Sequence, residues 1–320
     1  MASSDSKVVV LGTGGTIAGS AATAADSIGY RAASLGVEAL VAAVPALAEQ
    51  PLECLQVAQL DSKDMDFAVW QALAAAVAQQ LQRPAVAGVV ITHGTDTLEE
   101  TAYFLHRVLA PPKPVVLTAA MRPATALLAD GPQNLLDAVT LARAAAWRGV
   151  QAVLGGRVYA AADLRKRHGW HLEAFGAGDA GVLGLIQDGR VQRFRELRAA
   201  GPHPAAAALP ADAAQWPIVD IVVSHAGARA ESIDALLAAG VQGLVIAGTG
   251  NGSVHRALLQ AAQRALAAGV PVLRASRCLD GGVVEGAGGA LPDALPGCGA
   301  LTPWQARIEL MLDLLVRRAP

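Results

Sequence analysis

Short apolar runs alternate with segments of helical period along the first half of the chain. The runs fall at Lys7–Leu11, Leu52–Leu60, Val89–Thr92, Pro114–Met121 and Val150–Tyr159. Between them, helical spacing predicts helices near Val37–Leu47 and Asp64–Leu81, from Leu98 onward, and over Asn134–Trp147. Such alternation means βαβ units with right-handed crossovers, and a parallel sheet covered by helices on both faces as a three-layer domain. An Asp188-Gly189 turn inside Leu185–Val191 predicts a hairpin that closes this half. Alanine and proline then dominate, which reads as a linker over residues 197–217 between domains at 1–196 and 218–320. The second half resumes on a smaller scale, with strands near Ile218–Ser224, Val241–Ala247 and Val270–Ala275. Helices are expected there at Ser232–Ala239, Ser253–Ala268 and Gln305–Arg317, giving a smaller flavodoxin- or Rossmann-like α/β domain.

Two strand-loop-helix junctions hold the polar residues of interest. In one, Val89-Val90-Ile91 ends in Thr92-His93-Gly94-Thr95-Asp96-Thr97, and Thr97 with Glu100 has the spacing of a capping box. In the other, the first strand runs into Gly12-Thr13-Gly14-Gly15-Thr16-Ile17-Ala18-Gly19. Both loops lie beyond the carboxyl ends of parallel strands, where open α/β sheets bind ligands and helix N-termini favour anions.

Composition narrows the field. The chain has 320 residues, 53% of them apolar, so two domains with real cores are expected and disorder is not. A net charge of −2 gives no basic footprint for nucleic acid. No apolar run reaches the ~18 residues that span a bilayer, and no secretory signal is visible at Met1–Ser6. A cytoplasmic location is expected, or a periplasmic one if a leader has been removed. Cys54, Cys278 and Cys298 include no CxxC pair, which offers neither zinc site nor disulfide framework.

The glycines at 12, 14, 15 and 19 do not make a dinucleotide fingerprint, because Ile17 stands where its third glycine belongs. They serve better to clear space so that Thr13 or Thr16 meets a small ligand. A threonine hydroxyl needs a base or an activated lysine to become a nucleophile. The chain has four lysines, at 7, 63, 113 and 166, and a loop lysine stands out where arginine otherwise carries positive charge. Lys166 follows the strand ending near Tyr159 and so lies on the carboxyl side of the sheet; composition alone favours a solvated Arg165-Lys166-Arg167 turn. His93 reads as a structural histidine, with no second histidine at a metal-ligand spacing.

The stretches Thr13-Gly14-Gly15-Thr16-Ile17-Ala18-Gly19 and Ile91-Thr92-His93-Gly94-Thr95-Asp96-Thr97-Leu98-Glu99-Glu100-Thr101-Ala102 resemble the two signatures of the bacterial-type L-asparaginase family. The resemblance continues through Gly36-Val37-Glu38, Ser62-Lys63-Asp64-Met65, Ala120-Met121-Arg122-Pro123, Asp130–Leu135 and Gly248–Gly252, nearly the whole chain. It implies hydrolysis of the L-asparagine side-chain amide to aspartate and ammonia, without metal or cofactor. It matches Thr16 to the attacking threonine, Tyr30 to the tyrosine of a mobile lid, Thr95 to the second threonine and Lys166 to the lysine that activates a hydroxyl through it. Asp96 matches the carboxylate holding the substrate's α-ammonium, and Ser62 the contact to its α-carboxylate. Gly15 lines the same loop, and backbone N–H groups near Thr95 are expected to form an oxyanion hole. The family's assembly is a homotetramer of close dimers with sites at subunit interfaces.

Three departures stand out. Lys63 replaces the family's usual glutamine. Arg165-Lys166-Arg167-His168-Gly169-Trp170 replaces a small polar run around the lysine. The family's cross-subunit glutamate has two candidates, Glu285 and Asp293. Within enzymes the alternatives are a glutaminase-leaning amidase, or the amidase subunit of a tRNA-dependent amidotransferase, which normally carries an extra N-terminal domain. Outside enzymes the alternative is a catalytically dead amino-acid-binding module, expected to lack a threonine or the lysine; all are present.

Overall fold

A computed structural model describes residues 6–26, 28–197, 201–285 and 295–318. Contacts divide the chain into two compact units, residues 1–202 and 203–320. In the first unit the elements run β1 (Lys7–Gly14), β2 (Ser20–Ala21), β3 (Tyr30–Arg31), α1 (Val37–Ala42), β4 (Leu52–Leu60), α2 (Phe67–Leu81), β5 (Val86–Thr92) and α3 (Leu98–Leu109). There follow β6 (Pro114–Thr118), α4 (Gly131–Ala142), β7 (Gly149–Leu154), β8 (Arg157–Ala160), β9 (Arg165–Lys166), β10 (Phe175–Gly176), β11 (Gly184–Gln187) and β12 (Arg190–Arg193).

Eight of these strands form one sheet in the order β12-β11-β8-β7-β6-β5-β1-β4. The five from β4 to β7 are parallel, and β8, β11 and β12 add an antiparallel edge. Alternation of side chains along buried strands sorts the core. Val8, Val10, Val90 and Val116 share one cluster with Val37 and Leu40 of α1 and Leu135 and Val139 of α4. The other face meets α2 and α3, where Trp70 stacks on Phe104 with ring centroids 4.8 Å apart. The expected three layers are present. The chain leaves β1 toward β4 and leaves β5 toward β6 on the opposite side, so the sheet reverses its winding between β1 and β5. In open α/β sheets the crevice at such a reversal is where ligands bind.

Several boundaries differ from the sequence expectation. Val150–Tyr159 is two antiparallel strands, because Gly155 and Gly156, at φ +56° and +70°, make a tight turn between Leu154 and Arg157. The helix expected from Asn134 starts at Gly131 instead, with Pro132 in its first turn, where a missing N–H costs nothing. The Asp188-Gly189 hairpin forms with both residues left-handed. The Thr97–Glu100 capping box does not form: Thr97 caps nothing, and its hydroxyl donates to the Ser62 carbonyl at 2.8 Å.

The second unit contains β13 (Val219–Val223), α5 (Glu231–Ala238), β14 (Gly243–Gly248), α6 (Arg256–Ala267), β15 (Val272–Ser276) and α7 (Pro303–Arg318). Its three strands are parallel in chain order. Helices α5 and α6 share an apolar cluster with Val222, Leu244 and Ile246, while α7 packs on all three strands. The stretch read as a linker is not free chain from His203 onward. The His203 ring is buried and meets Asp313 of α7 at 3.2 Å, and Ala205 is fully buried. Proline and alanine there build a packed 3₁₀ turn (Pro204–Ala208), a use of those residues that composition does not distinguish from a spacer.

Candidate active site

Strands β1 and β5 are neighbours, paired from Val8↔Gly88 through Gly12↔Thr92, so the two polar loops leave the sheet side by side. Gly15 holds them together. Its φ of +81° and ψ of −171° lie in a region open essentially to glycine alone. A Cβ there would sit 2.3 Å from the Cα and N of Gly94. Gly94 is pressed in turn by Ser62, whose Oγ would lie 2.4 Å from a Cβ at that position. The two loops therefore touch backbone to backbone, with Ser62 against them.

Thr13 and Thr16 have different fates. Thr13 is buried and donates its hydroxyl to the Thr92 carbonyl at 2.9 Å, stitching β1 to β5. Thr16 Oγ1 lies 2.7 Å from Tyr30 Oη. Tyr30 is brought there by the two-residue ladder of β2 with β3. The stretch between these strands is tied to a second loop by Ala21 N–H to Thr125 Oγ1 (2.8 Å) and Leu127 N–H to the Ala24 carbonyl (3.0 Å).

Thr95 and Asp96 stand just before α3, and Lys166 reaches both. Its Nζ donates to Thr95 Oγ1 at 2.9 Å and to Asp96 Oδ1 at 2.5 Å. Thr95 is buried, the Lys166 side chain is 16% exposed and Asp96 is about half exposed. Lys166 is therefore enclosed and paired, and the reading of Arg165–Arg167 as a solvated turn is set aside. In the short hairpin of β9 with β10, Lys166 stands opposite Phe175. Ser62 Oγ accepts the Asp96 N–H at 3.2 Å, so this N–H, a candidate for the oxyanion hole, is already engaged.

The other candidates have other partners. Lys63 is exposed and pairs with Asp64, whose hydrogen bond raises the lysine's pKa. Glu285 belongs to the second unit, where it holds Arg274 at 3.0 Å and accepts the Gly297 N–H at 2.9 Å. Asp293 lies outside the described residues. Among the described residues, no three His, Cys, Asp or Glu side chains cluster as metal ligands.

His93 is fully buried, and its Nδ1 lies 2.7 Å from the Gly94 carbonyl. A carbonyl only accepts, so Nδ1 carries the hydrogen and Nε2, which has no partner, is the bare nitrogen. Burial lowers its pKa to about 4, so it is a neutral structural residue. The sequence reading missed Glu99. This buried carboxylate on α3 accepts the Lys166 backbone N–H at 2.7 Å, and burial raises its pKa to about 7. An acid in a helix's first turn is ordinary on sequence grounds, so nothing in the local pattern singled it out.

Comparison with known proteins agrees with this geometry. Residues 7–199 match the family model "Asparaginase, N-terminal", and residues 218–318 match "Glutaminase/Asparaginase C-terminal domain". The chain is 37% identical to the probable periplasmic L-asparaginase of Haemophilus influenzae and to L-asparaginase 2 of Escherichia coli, covering 98% of this chain and 90% of each relative. It is also 37% identical to a glutaminase-asparaginase of Acinetobacter glutaminasificans, over 97% of this chain and 95% of that one. A crystal structure of a probable cytoplasmic L-asparaginase from Campylobacter jejuni superposes with a TM-score of 0.90 at 36% identity, over 97% of this chain and 95% of that chain. With both domain models matched in order and relatives covered almost end to end, the chain belongs to the asparaginase/glutaminase family.

Proposed function

We propose that the protein is an L-asparaginase that hydrolyses the side-chain amide of L-asparagine with Thr16 as nucleophile. The observation that carries this is Lys166 Nζ bonded at once to Thr95 Oγ1 and Asp96 Oδ1, on the loop beside the one that holds Thr16. Thr16 Oγ1 attacks the amide carbonyl, and ammonia leaves carrying the hydroxyl's proton. Water then cleaves the threonyl ester, and one of its protons returns to Thr16. Tyr30, 2.7 Å from Thr16, can relay the attacking hydroxyl's proton, accepting it as its own hydroxyl proton passes on toward the leaving nitrogen. Thr95 accepts from Lys166, so its own O–H is directed away from the lysine, where it can donate to the departing nitrogen. The exposed side of Asp96 is available to the substrate's α-ammonium, and Ser62 with Gly15 borders the place for its α-carboxylate.

The same reading includes closure of the stretch Gly19–Tyr30 as a lid, assembly as a homotetramer, and a cytoplasmic location. Among the described residues no helix is long and apolar enough to cross a membrane. Activity on glutamine is the second reading, supported by the glutaminase-asparaginase of Acinetobacter glutaminasificans among the relatives. Ammonia release from asparagine and glutamine, measured side by side, ranks the two substrates. Thr16→Ala should reduce both by several orders of magnitude; turnover within about tenfold of wild type, a barrier change of only ~1.4 kcal/mol, would overturn the assignment.

A further inference from the structure

We propose that Glu99 is a positioning residue for the reaction: its carboxylate clamps the backbone of Lys166 to helix α3, and so sets the reach of the Lys166 ammonium to Thr95 and Asp96. The inference rests on the reading that Lys166 takes part in the chemistry.

The geometry is as follows. Thr95 and Asp96 immediately precede α3, and Glu99 lies in its first turn, one helical turn beyond Thr95. The lysine comes from elsewhere, on the two-residue strand β9, whose ladder partner β10 is equally short. A two-residue ladder defines position weakly. Glu99 Oε2 accepts the Lys166 N–H at 2.7 Å, and the Lys166 Nζ bonds run back to the start of the same helix. Lysine is thus held at both ends of its residue by one rigid element, and its flexible stem is left a single span to cover. Placement to within about half an ångström is what a hydrogen-bonded catalytic group such as the Lys166–Thr95 pair demands.

A buried acid in that position is costly unless it has a use. Glu99 is 9% exposed, and burial outweighs the Lys166 N–H bond in raising its pKa. The charged groups facing it are Glu100 on its own helix and Arg165 and Lys166 on β9; the acid raises its pKa and the two bases lower it. A hydrophobic residue would avoid this penalty, but it could not accept the N–H. Glu99 is also chemically distinct from Asp96, which touches the ammonium: Glu99 acts through the main chain and does not contact the reacting atoms.

Three variants of the full-length protein test this: Glu99→Gln, Glu99→Leu and, as control, Lys166→Met. Glutamine keeps an acceptor oxygen for the Lys166 N–H and removes the titration; leucine keeps the volume and removes the acceptor. Glu99→Leu should lower kcat about tenfold to a hundredfold, the range expected for losing a hydrogen bond to a charged acceptor, with KM for asparagine within about threefold. Glu99→Gln should keep kcat within about fivefold of wild type, because its amide oxygen still accepts the Lys166 N–H. A folded Glu99→Leu enzyme with kcat within about twofold of wild type would overturn the proposal, as would a Glu99→Gln enzyme impaired as much as Glu99→Leu. If the leucine variant fails to fold, Glu99→Ala, which also lacks the acceptor, takes its place against the same thresholds. Full activity in Lys166→Met would overturn the reading of the site itself, whereas an inactive Lys166→Met beside an unimpaired Glu99→Leu would overturn only the clamp.

Discussion

Glu99 and His93 sit within a few residues of each other and respond to pH in opposite ways. Burial holds the Glu99 carboxyl near 7 against an ordinary 4.5. The same cause holds the His93 imidazole near 4 against 6.5. Between pH 4.5 and 7 native Glu99 keeps a proton that the unfolded chain has released, so its contribution to stability falls as pH rises. Below pH 6.5 the unfolded imidazole takes up a proton that native His93 refuses, so its contribution is present above 6.5 and is lost as pH falls toward 4. Each displacement corresponds to about 3 kcal/mol, with opposite slopes in overlapping windows, so the two nearly cancel in the wild-type protein. Glu99→Gln removes one partner. The difference in unfolding free energy between variant and wild type should be flat below about pH 4.5 and should rise by about 3 kcal/mol in the variant's favour by about pH 7.5. Any constant offset from the altered bond to Lys166 shifts the baseline and leaves the height of the step unchanged. Other titrating groups, including Glu53, whose pKa is pulled down to about 2 by Arg83 and Lys7, cancel in the difference. Urea unfolding at several pH values and one fixed protein concentration measures it. A difference that stays flat across this range, or falls as pH rises, refutes the claim that Glu99 is desolvated.

Two further outcomes are expected. Gly15→Ala forces a side chain into a glycine-only backbone region and against the backbone of Gly94; it should destabilise the first unit by about 3 kcal/mol or more, and a variant within about 1 kcal/mol of wild type in thermal or urea unfolding would contradict this. Lys63→Gln tests whether Lys63, paired with Asp64, contributes to substrate choice: if it contacts the substrate carboxylate, the KM for asparagine and glutamine should rise more than for their α-carboxyl amides. Unchanged constants for all four would leave it a surface lysine.

Most of the parallel sheet was legible because strands buried on both faces read as continuous apolar runs, as Lys7–Leu11 and Val89–Ile91 do. Thr16, Thr95 and Lys166 were legible as chemistry-bearing residue types in glycine-rich loops or at a strand end, although composition alone left Lys166 on a solvated turn. What escaped was decided by contacts across the sequence. The partner of the Thr97 hydroxyl is the carbonyl of Ser62, 35 residues away, so no local spacing rule could find it. The Glu99 grip on Lys166 spans 67 residues and was hidden behind a commonplace helix start. The Gly155-Gly156 turn was visible as a dipeptide, but its apolar flanks made one long strand the simpler reading.

The placement of β1 between β4 and β5 has a consequence during synthesis. Of the strands in this sheet the first to leave the ribosome is an inner one, and its two partners begin only at Leu52 and Val86. At roughly 5–20 residues per second, Val8-Val9-Val10-Leu11 waits about 4–16 s before its second edge is covered. Throughout that interval a nascent chain displays an apolar ribbon with an open hydrogen-bonding edge, the feature that invites strands of other chains to dock. Lys7, the one charge at the head of the ribbon, is the residue placed to discourage that docking before Glu53 arrives to pair with it.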